Sequence, residues 1–401
     1  MLLGRELPTW KQLLNKDKSV ATKPYYEKDN TWLFAESCMS IHAILQAIRK
    51  NKMAGANLMD ESRSDSHKNL TQRTDGVALW LPDYFCNDTF RKFEEDWLEV
   101  FFYPVDKNRN PKWDVIEEEA KNRALDAFVF VHYFGMYHEI GRARELCSRM
   151  EGILIEDCAH VMYTDDASKI GKTGDFVCYS MHKLLPIPDG AALQYNSGAS
   201  HTELLPIVNI LNAMYENTAP QMNDKSWFHK KAIQKITKLH RDLTYYYGEH
   251  LGEYGKLNYP IHRISQWSYN ILSGYSYEDL QKIAAIRRAN VHAMNEIITK
   301  HYPQVKVVSK VTDDEVPYEG VYSLAEVPSE EEKKRIVSEL VEQDFTILFW
   351  PELPFELKYN RELHADAIQL SKDIFVIPSV HQDYTPELLH KKFDSSHSEK
   401  R

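Results

Sequence analysis

The chain has 401 residues, of which 43% are hydrophobic, 12% aromatic and 27% charged. That is enough for a large core, organised as two or three structural units or as one large domain and one small. Its 49 Lys and Arg against 59 Asp and Glu leave a net charge of −10, which speaks against a nucleic-acid grip driven by counterion release. No apolar stretch approaches the roughly 20 residues that span a bilayer, and mean hydropathy is −0.51. The start MLLGRELPTW lacks the basic and apolar regions of a secretory leader. Five cysteines, Cys38, Cys86, Cys147, Cys158 and Cys178, contain no CxxC pair. A reducing compartment, the cytoplasm, is therefore expected, with neither nucleic acid nor membrane as a partner.

In chain order, an apolar helical face comes first: Ile41, Ile44, Leu45 and Ile48, opened through Glu36-Ser37-Cys38-Met39-Ser40. Residues 51–76 are polar and read as a surface loop. Short β-rich runs follow at 77–81, 100–103, 127–131, 153–156, 176–179 and 191–195, alternating with amphipathic stretches. In one such stretch Ile140, Ala143, Cys147 and Met150 fall at helical spacing, with Gly152 as the expected C-cap. The pattern predicts a sheet covered by helices on both faces. Between 197 and 229 the signal is weak, and Ile233, Ile236, Leu239 and Leu243 then mark a further helix.

Gly252, Gly255 and Pro260 cluster at a candidate domain boundary. The segments are read as 1–30, an N-terminal segment; 31–255, a large domain; 256–392, a smaller C-terminal α/β domain; and 393–401, a frayed tail. In the smaller domain a helix is expected over 277–300. Another opens at the capping box Ser329-Glu330-Glu331-Glu332, and a last one at Thr385 with Pro386 in its first position. Apolar runs lie at 345–350 and 374–377.

The segment richest in chemistry is Gly152-Ile153-Leu154-Ile155-Glu156-Asp157-Cys158-Ala159-His160, followed by Gly174-Asp175-Phe176-Val177-Cys178-Tyr179-Ser180-Met181-His182-Lys183. An apolar strand ending in Asp157 sets a carboxylate at the carboxyl edge of the sheet, where open α/β folds bind ligands. The next strand ends in Ser180 and Lys183. An acid, a hydroxyl and an amine at neighbouring strand ends are what pyridoxal phosphate requires: the acid for the pyridine nitrogen, the hydroxyl for phosphate, the amine for the Schiff base. Singly, Asp157 suits a turn or helix cap and Lys183 a solvated charge; their conjunction and order favour the cofactor.

These residues resemble the DegT/DnrJ/EryC1/StrS sugar aminotransferases, pyridoxal-phosphate enzymes of fold type I. Glu156-Asp157-Cys158-Ala159-His160 is similar to the family's D-A-A-[QH] element, Gly174-Asp175 to its G-D, and Ser180 with Lys183 to its serine and lysine. Val131-His132-Tyr133-Phe134-Gly135 resembles its strand-end V-H-x-x-G, and Pro378-Ser379-Val380-His381-Gln382 a C-terminal proline turn. The lysine follows the serine by three residues where many members have five, so the loop is shortened. A branch with an S-x-[RH]-K-x-L-P-[IV]-P-D-G pattern is matched by residues 180–190.

The resemblance implies an α/β protein of the PLP-dependent transferase fold type I, with a large mixed-sheet α/β/α domain and a smaller C-terminal α/β domain. It implies pyridoxal 5'-phosphate, with Lys183 as Schiff-base lysine and proton carrier, Asp157 at the pyridine nitrogen, His160 by the phenolic oxygen and Ser180 at the phosphate. Ser37 and Cys38 fall at the helix N-terminus that would cradle the phosphate, with simple N-capping as the plainer role for Ser37. Tyr84 or Phe85 would meet the cofactor ring. His132, His182 and His381 are candidate substrate contacts, and Arg287 and Arg288 either serve a phosphorylated substrate or occupy a solvated helix face.

The implied activity moves an amino group from a small-molecule donor such as glutamate to a keto acceptor, in a homodimer with its active site at the subunit interface. The alternatives are a pyridoxal-phosphate dehydratase or other eliminating enzyme, and a non-catalytic binding protein that kept the fold. No metal is expected, since His132, His138 and His160 lack ligand spacing. No GxGxxG follows a strand, so a nicotinamide reading fails.

Overall fold

The structure is a computed structural model that describes residues 23–61, 75–165, 168–198, 204–237, 251–252, 255–257, 259–343, 345–350, 352–378 and 385–398. Residues 379–382 of the proline turn, His381 among them, together with Leu239 and Leu243, lie outside the described residues.

Seven strands build the larger sheet: β1 (Thr31–Phe34), β2 (Val77–Pro82), β3 (Leu98–Tyr103), β4 (Ala127–Val131), β5 (Ile153–Cys158), β6 (Phe176–Tyr179) and β7 (Ala191–Tyr195). Their order is β1-β7-β6-β5-β4-β2-β3. The five from β6 to β3 are parallel, and β7 runs antiparallel to both β6 and β1. The central strands are near-continuous apolar runs because helices cover both faces; every residue of β2, β4, β5 and β6 is buried. This register lays Val131, Asp157 and Cys178 side by side at the carboxyl edge.

A second sheet holds β8 (Lys306–Val307), β9 (Gly320–Ser323), β10 (Leu348–Phe349) and β11 (Ile374–Ile377) in the antiparallel order β10-β11-β9-β8. The alternation along β11 divides its side chains between two cores. Ile374 and Val376 join the core of the large sheet. Phe375 and Ile377 join a separate cluster with Met294, Ile298, Ile336 and Leu340 from the helices Tyr277–His301 and Glu330–Glu342. Arg91, fully buried in the helix Asn87–Phe93, reaches Glu356 with both carboxylate oxygens in range, at 2.8 and 2.7 Å.

Several expectations need correction. The first helix runs Ser37–Glu61 through the start of the predicted loop; residues 53–55 are exposed, so no apolar face marks that stretch. β1 is four residues long, too short for a visible period. The C-cap of the helix Gly141–Met150 is Glu151, left-handed at φ 57°, not Gly152. Gly152 is required for space, since a Cβ there would stand 2.8 Å from Leu125 Cγ. The weakly patterned stretch holds the helices Leu205–Glu216 and Lys225–Thr237. Only residues 348–349 of the run 345–350 form a strand. Among the described residues no helix is long and apolar enough to cross a membrane.

Gly135 closes the turn after β4 at φ +77°, and a Cβ would lie 2.7 Å from the His160 carbonyl oxygen and 2.8 Å from that of Val316. Both are backbone atoms, so neither can swing away. Gly135→Ala is expected to cost about 1–3 kcal/mol for the left-handed backbone with the clash added to it. Equilibrium denaturation of the variant beside wild type checks this; an unchanged midpoint would refute it.

Candidate cofactor site

A cavity of about 230 Å³ opens at the carboxyl edge of the large sheet, where β4, β5 and β6 end. Asp157, His160 and Lys183 line it from the large unit. Tyr318, Leu348, Phe349, Trp350, Ile374 and Val376 close it from the side of the smaller sheet. Lys183 arrives by a short route. A single 3-10 turn, Met181–Lys183, begins one residue after β6 ends at Tyr179, with Ser180 at its N-cap position. Three residues therefore bring the amine from the serine into the cavity.

Neighbouring residues of β5 point to opposite faces, which separates its two carboxylates. Asp157 faces the cavity and is almost fully buried. One of its oxygens accepts the Ala159 N–H at 2.8 Å. Burial raises its carboxyl above the ordinary range, with Lys183 pulling the other way. A cationic nitrogen beside it would relieve that penalty.

Glu156, on the other face, is fully buried but well supplied. It accepts from His132 Nε2 at 2.9 Å and from the N–H groups of Gly171, Thr173 and Gly174. Burial alone would raise the Glu156 carboxyl, yet the His132 hydrogen bond, with those of Gly174 and Gly171, holds it below the usual range. His132 Nδ1 accepts the His138 N–H at 3.2 Å, so the proton sits on Nε2 and is given to Glu156.

His160 is tautomerically fixed in the same way. Its Nδ1 accepts the Phe134 N–H at 3.2 Å, which places the proton on Nε2, 3.4 Å from Lys183 Nζ. The ring therefore presents a donor to the cavity. It stacks on Tyr318 with centroids 4.3 Å apart, and Phe134 lies parallel to it at 5.8 Å. Phe134 pays for this placement with a left-handed backbone, φ 60°, a conformation uncommon outside glycine.

Ser37 lines the cavity at the N-terminus of the helix Ser37–Glu61, where unsatisfied N–H groups favour an anion. Glu36 would repel an anion there, but its oxygens engage Lys92 Nζ at 2.7 Å and the Tyr259 hydroxyl. The other expected residues stand elsewhere. Cys38 is buried outside the lining, and burial first, then Glu36, push its thiol up to about 12. Ser180 is fully buried outside the lining, its Oγ 3.4 Å from His182 Nδ1, and His182 turns to the Gly190 carbonyl. His132 is enclosed with Glu156 and has no access to a substrate.

Of the two aromatic candidates Phe85 lines the cavity, whereas Tyr84 is fully buried and stacked on Trp350 at 4.4 Å. Arg287 is neither on a solvated face nor free for phosphate. It is buried and donates to the carbonyls of Leu184 at 2.7 Å and Tyr318 at 2.8 Å. Arg288 likewise donates to the carbonyls of Thr312, Asp313 and Glu315.

Sequence reasoning missed Phe134, Tyr318 and Trp350. Only Phe134 carried a signal, through the glycine beside it in the strand-end motif. Among the described residues no group of three His, Cys, Asp or Glu side chains could hold a metal ion. The donor set fits pyridoxal phosphate: a buried carboxylate in need of a cation, an N–H donor, an amine, and a helix N-terminus with a hydroxyl.

The profile of the DegT/DnrJ/EryC1/StrS aminotransferase family matches residues 98–221. No curated protein sequence matches the chain. Among solved structures, a putative sugar aminotransferase, Spr1654 of Streptococcus pneumoniae in its PLP form, superposes with a TM-score of 0.63 at 11% identity, covering 100% of this chain and 99% of that one. PseC of Helicobacter pylori, an aminotransferase of pseudoaminic acid biosynthesis, gives 0.58 at 12%, covering 99% of each chain. The GDP-4-keto-6-deoxy-D-mannose-3-dehydratase of E. coli gives 0.55 at 14%, covering 92% and 86%. At such identities the structures establish the fold, that of the type I PLP-dependent transferases, and the family match supports pyridoxal 5'-phosphate as the cofactor.

The Glu156 network makes a prediction about pH. A carboxyl held below its ordinary value of 4.5 adds stability that is complete above that value and is lost as pH falls through the lowered one. Glu156→Gln breaks a buried charged network and is expected to cost about 3–5 kcal/mol at pH 7. Thermal unfolding from pH 7 down to pH 3 checks this: the gap between wild type and variant should narrow as pH falls, and a constant gap would contradict the assignment.

Proposed function

We propose that this chain, whose residues 98–221 match the DegT/DnrJ/EryC1/StrS aminotransferase family, is a pyridoxal-phosphate-dependent aminotransferase. It takes an amino group from an amino acid, glutamate as the simplest donor, and delivers it to a keto group on a nucleotide-linked sugar. The observation that carries this reading is the convergence of Asp157, His160 and Lys183 in one cavity, with Lys183 Nζ 3.4 Å from His160 Nε2. When bound, pyridoxal phosphate supplies an electron-withdrawing ring that acidifies the carbon bearing the transferred nitrogen.

Each residue has a part. The Asp157 carboxylate keeps the pyridine nitrogen protonated, and the His160 Nε2 proton is directed to the phenolic oxygen. Ser37 and the helix N-terminus behind it hold the phosphate. Lys183 would supply the nucleophilic amine, and its Nζ would then take a proton from the substrate carbon that bears the nitrogen and return one to the cofactor carbon on the other side of that nitrogen. Residues 31–255 form the cofactor-holding domain in this reading, and 256–392 the domain that closes it, which the wall built by Tyr318, Phe349 and Trp350 supports.

The protein is further proposed to be a cytoplasmic homodimer. The free cysteines favour a reducing compartment. Ile233 and Ile236, 59% and 69% exposed on the helix Lys225–Thr237, favour a partner surface. Light scattering should report a dimer for wild type and a shift toward monomer for Ile236→Glu. A wild-type monomer would overturn this part.

The catalytic reading is tested with protein loaded with pyridoxal phosphate and then given glutamate. Wild type should show a visible cofactor band that glutamate bleaches with release of 2-oxoglutarate, and Lys183→Ala should lower the rate by about 10²–10⁴ or more. A band without 2-oxoglutarate would replace transamination by elimination. Absence of the band would mean a binding protein that kept the fold.

A further inference from the structure

Behind the cofactor cavity lies a larger groove of about 1000 Å³, lined by the turns that follow β3 and β4 and by residues 306–316 of the smaller unit. Ile374 belongs to both walls, and the turn holding Tyr133 and Phe134 on one side continues as Gly135 to His138 on the other. Two polar groups in this groove are buried without being satisfied. Arg109 is 8% exposed, its Nε has no hydrogen-bond partner, and it forms no ion pair with a described residue. Its guanidinium lies over the Phe134 ring at 5.7 Å, and Asp106 attracts it only through space. His138 is also 8% exposed, and its Nε2 has no partner.

The charge balance favours an anion. Of the five carboxylates lining the groove four are committed, Asp366 to Lys112 at 2.8 Å, Asp373 to Lys333 at 2.9 Å, Glu326 to Lys306 at 3.6 Å and Glu315 to the Tyr137 N–H at 2.7 Å, while Asp314 is exposed to solvent. Asp106, close to Arg109 in sequence, spends its oxygens on the N–H groups of Asn108 and Asn110. On the cationic side Lys107 and Lys310 are exposed at the rim without an ion pair to a described residue. A guanidinium removed from water without a carboxylate is strongly unfavourable unless a ligand supplies the oxygens.

His138 narrows the ligand further. Asn110 Nδ2 is turned to Asp106, so its Oδ1 accepts from His138 Nδ1 at 3.3 Å. The opposite nitrogen, Nε2, then carries a lone pair and needs a donor. Burial first, then Arg109, His132 and Lys310, hold the imidazole at about 3, so it stays neutral. The ligand must thus offer acceptor oxygens to Arg109 and a hydroxyl to His138.

We propose that this groove is a second binding site, separate from the cofactor cavity, for a phosphorylated sugar. Its phosphate meets the Arg109 guanidinium with Lys107 and Lys310 at the rim, and a sugar hydroxyl donates to His138 Nε2. The assignment does not rest on the reaction proposed above. Its shared wall with the cavity, through Phe134 and on to His160, means that occupancy would be felt at the cofactor.

Titration calorimetry on the protein saturated with pyridoxal phosphate, which fills the cofactor's own phosphate cup, tests the site. The probes are glucose 1-phosphate, inorganic phosphate and glucose. Glucose 1-phosphate should bind most tightly, inorganic phosphate more weakly, and glucose not at all. Arg109→Met should weaken glucose 1-phosphate about tenfold or more, and His138→Phe should erase its advantage over inorganic phosphate. In thermal unfolding without ligand, Arg109→Met should be as stable as wild type or more so, because it removes an uncompensated buried charge. Lys310→Glu, at an exposed position, should weaken binding with the fold intact. Undiminished binding in Arg109→Met and Lys310→Glu, equal affinity for glucose, or strong destabilisation of Arg109→Met with binding retained would each overturn the proposal.

Discussion

Two adjacent carboxylates on a buried strand are the constraint from which the rest of this molecule follows. Glu156 and Asp157 cannot both be ionised side by side in a core unless each is compensated separately. The pleat of β5 sends them to opposite faces, and the fold spends its internal donors on only one. Glu156 collects His132 and the N–H groups of the 171–174 loop, which fixes the connection into β6 and hence where Ser180 and Lys183 emerge. Asp157 keeps one backbone donor and a free face toward the cavity. The same strand is thereby both a structural anchor and the floor of a reactive site.

The histidines on either side follow one logic. In His132 and in His160 a backbone N–H is given to Nδ1, and the ring's remaining proton is thereby aimed, inward at Glu156 in one case and into the cavity in the other. No protonated imidazole is needed at either position. Arg287 adds a mechanical counterpart: donating to Leu184 just past the lysine and to Tyr318 on the smaller unit, it couples the lysine turn to the residue that stacks on His160.

Much of this was legible in the sequence, and the exceptions have physical reasons. The strands and the order Asp157, His160, Ser180, Lys183 could be read because parallel buried strands are apolar throughout and their ends carry the chemistry. Residues 51–55 read as loop because a helix that is leaving the core shows no apolar stripe. Tyr84 and Phe85 could not be told apart, since neighbours at a strand end differ only in which way they turn; Trp350, some 265 positions on, decides that Tyr84 is covered. His132 looked like a ligand contact because it follows a strand at the sheet edge where open α/β folds bind ligands, and nothing local announced that Glu156 would claim it. Arg109 drew no attention at all: its lack of an ion pair with any described carboxylate is a property of the folded groove.

The two-sided packing of β11 reaches beyond architecture. Because Ile374 and Val376 belong to the core that walls the cofactor cavity while Phe375 and Ile377 belong to the separate core of the smaller unit, that unit has no surface of its own along which to slide. Any swing of the closing wall must carry β11 with it and is resisted by both cores at once.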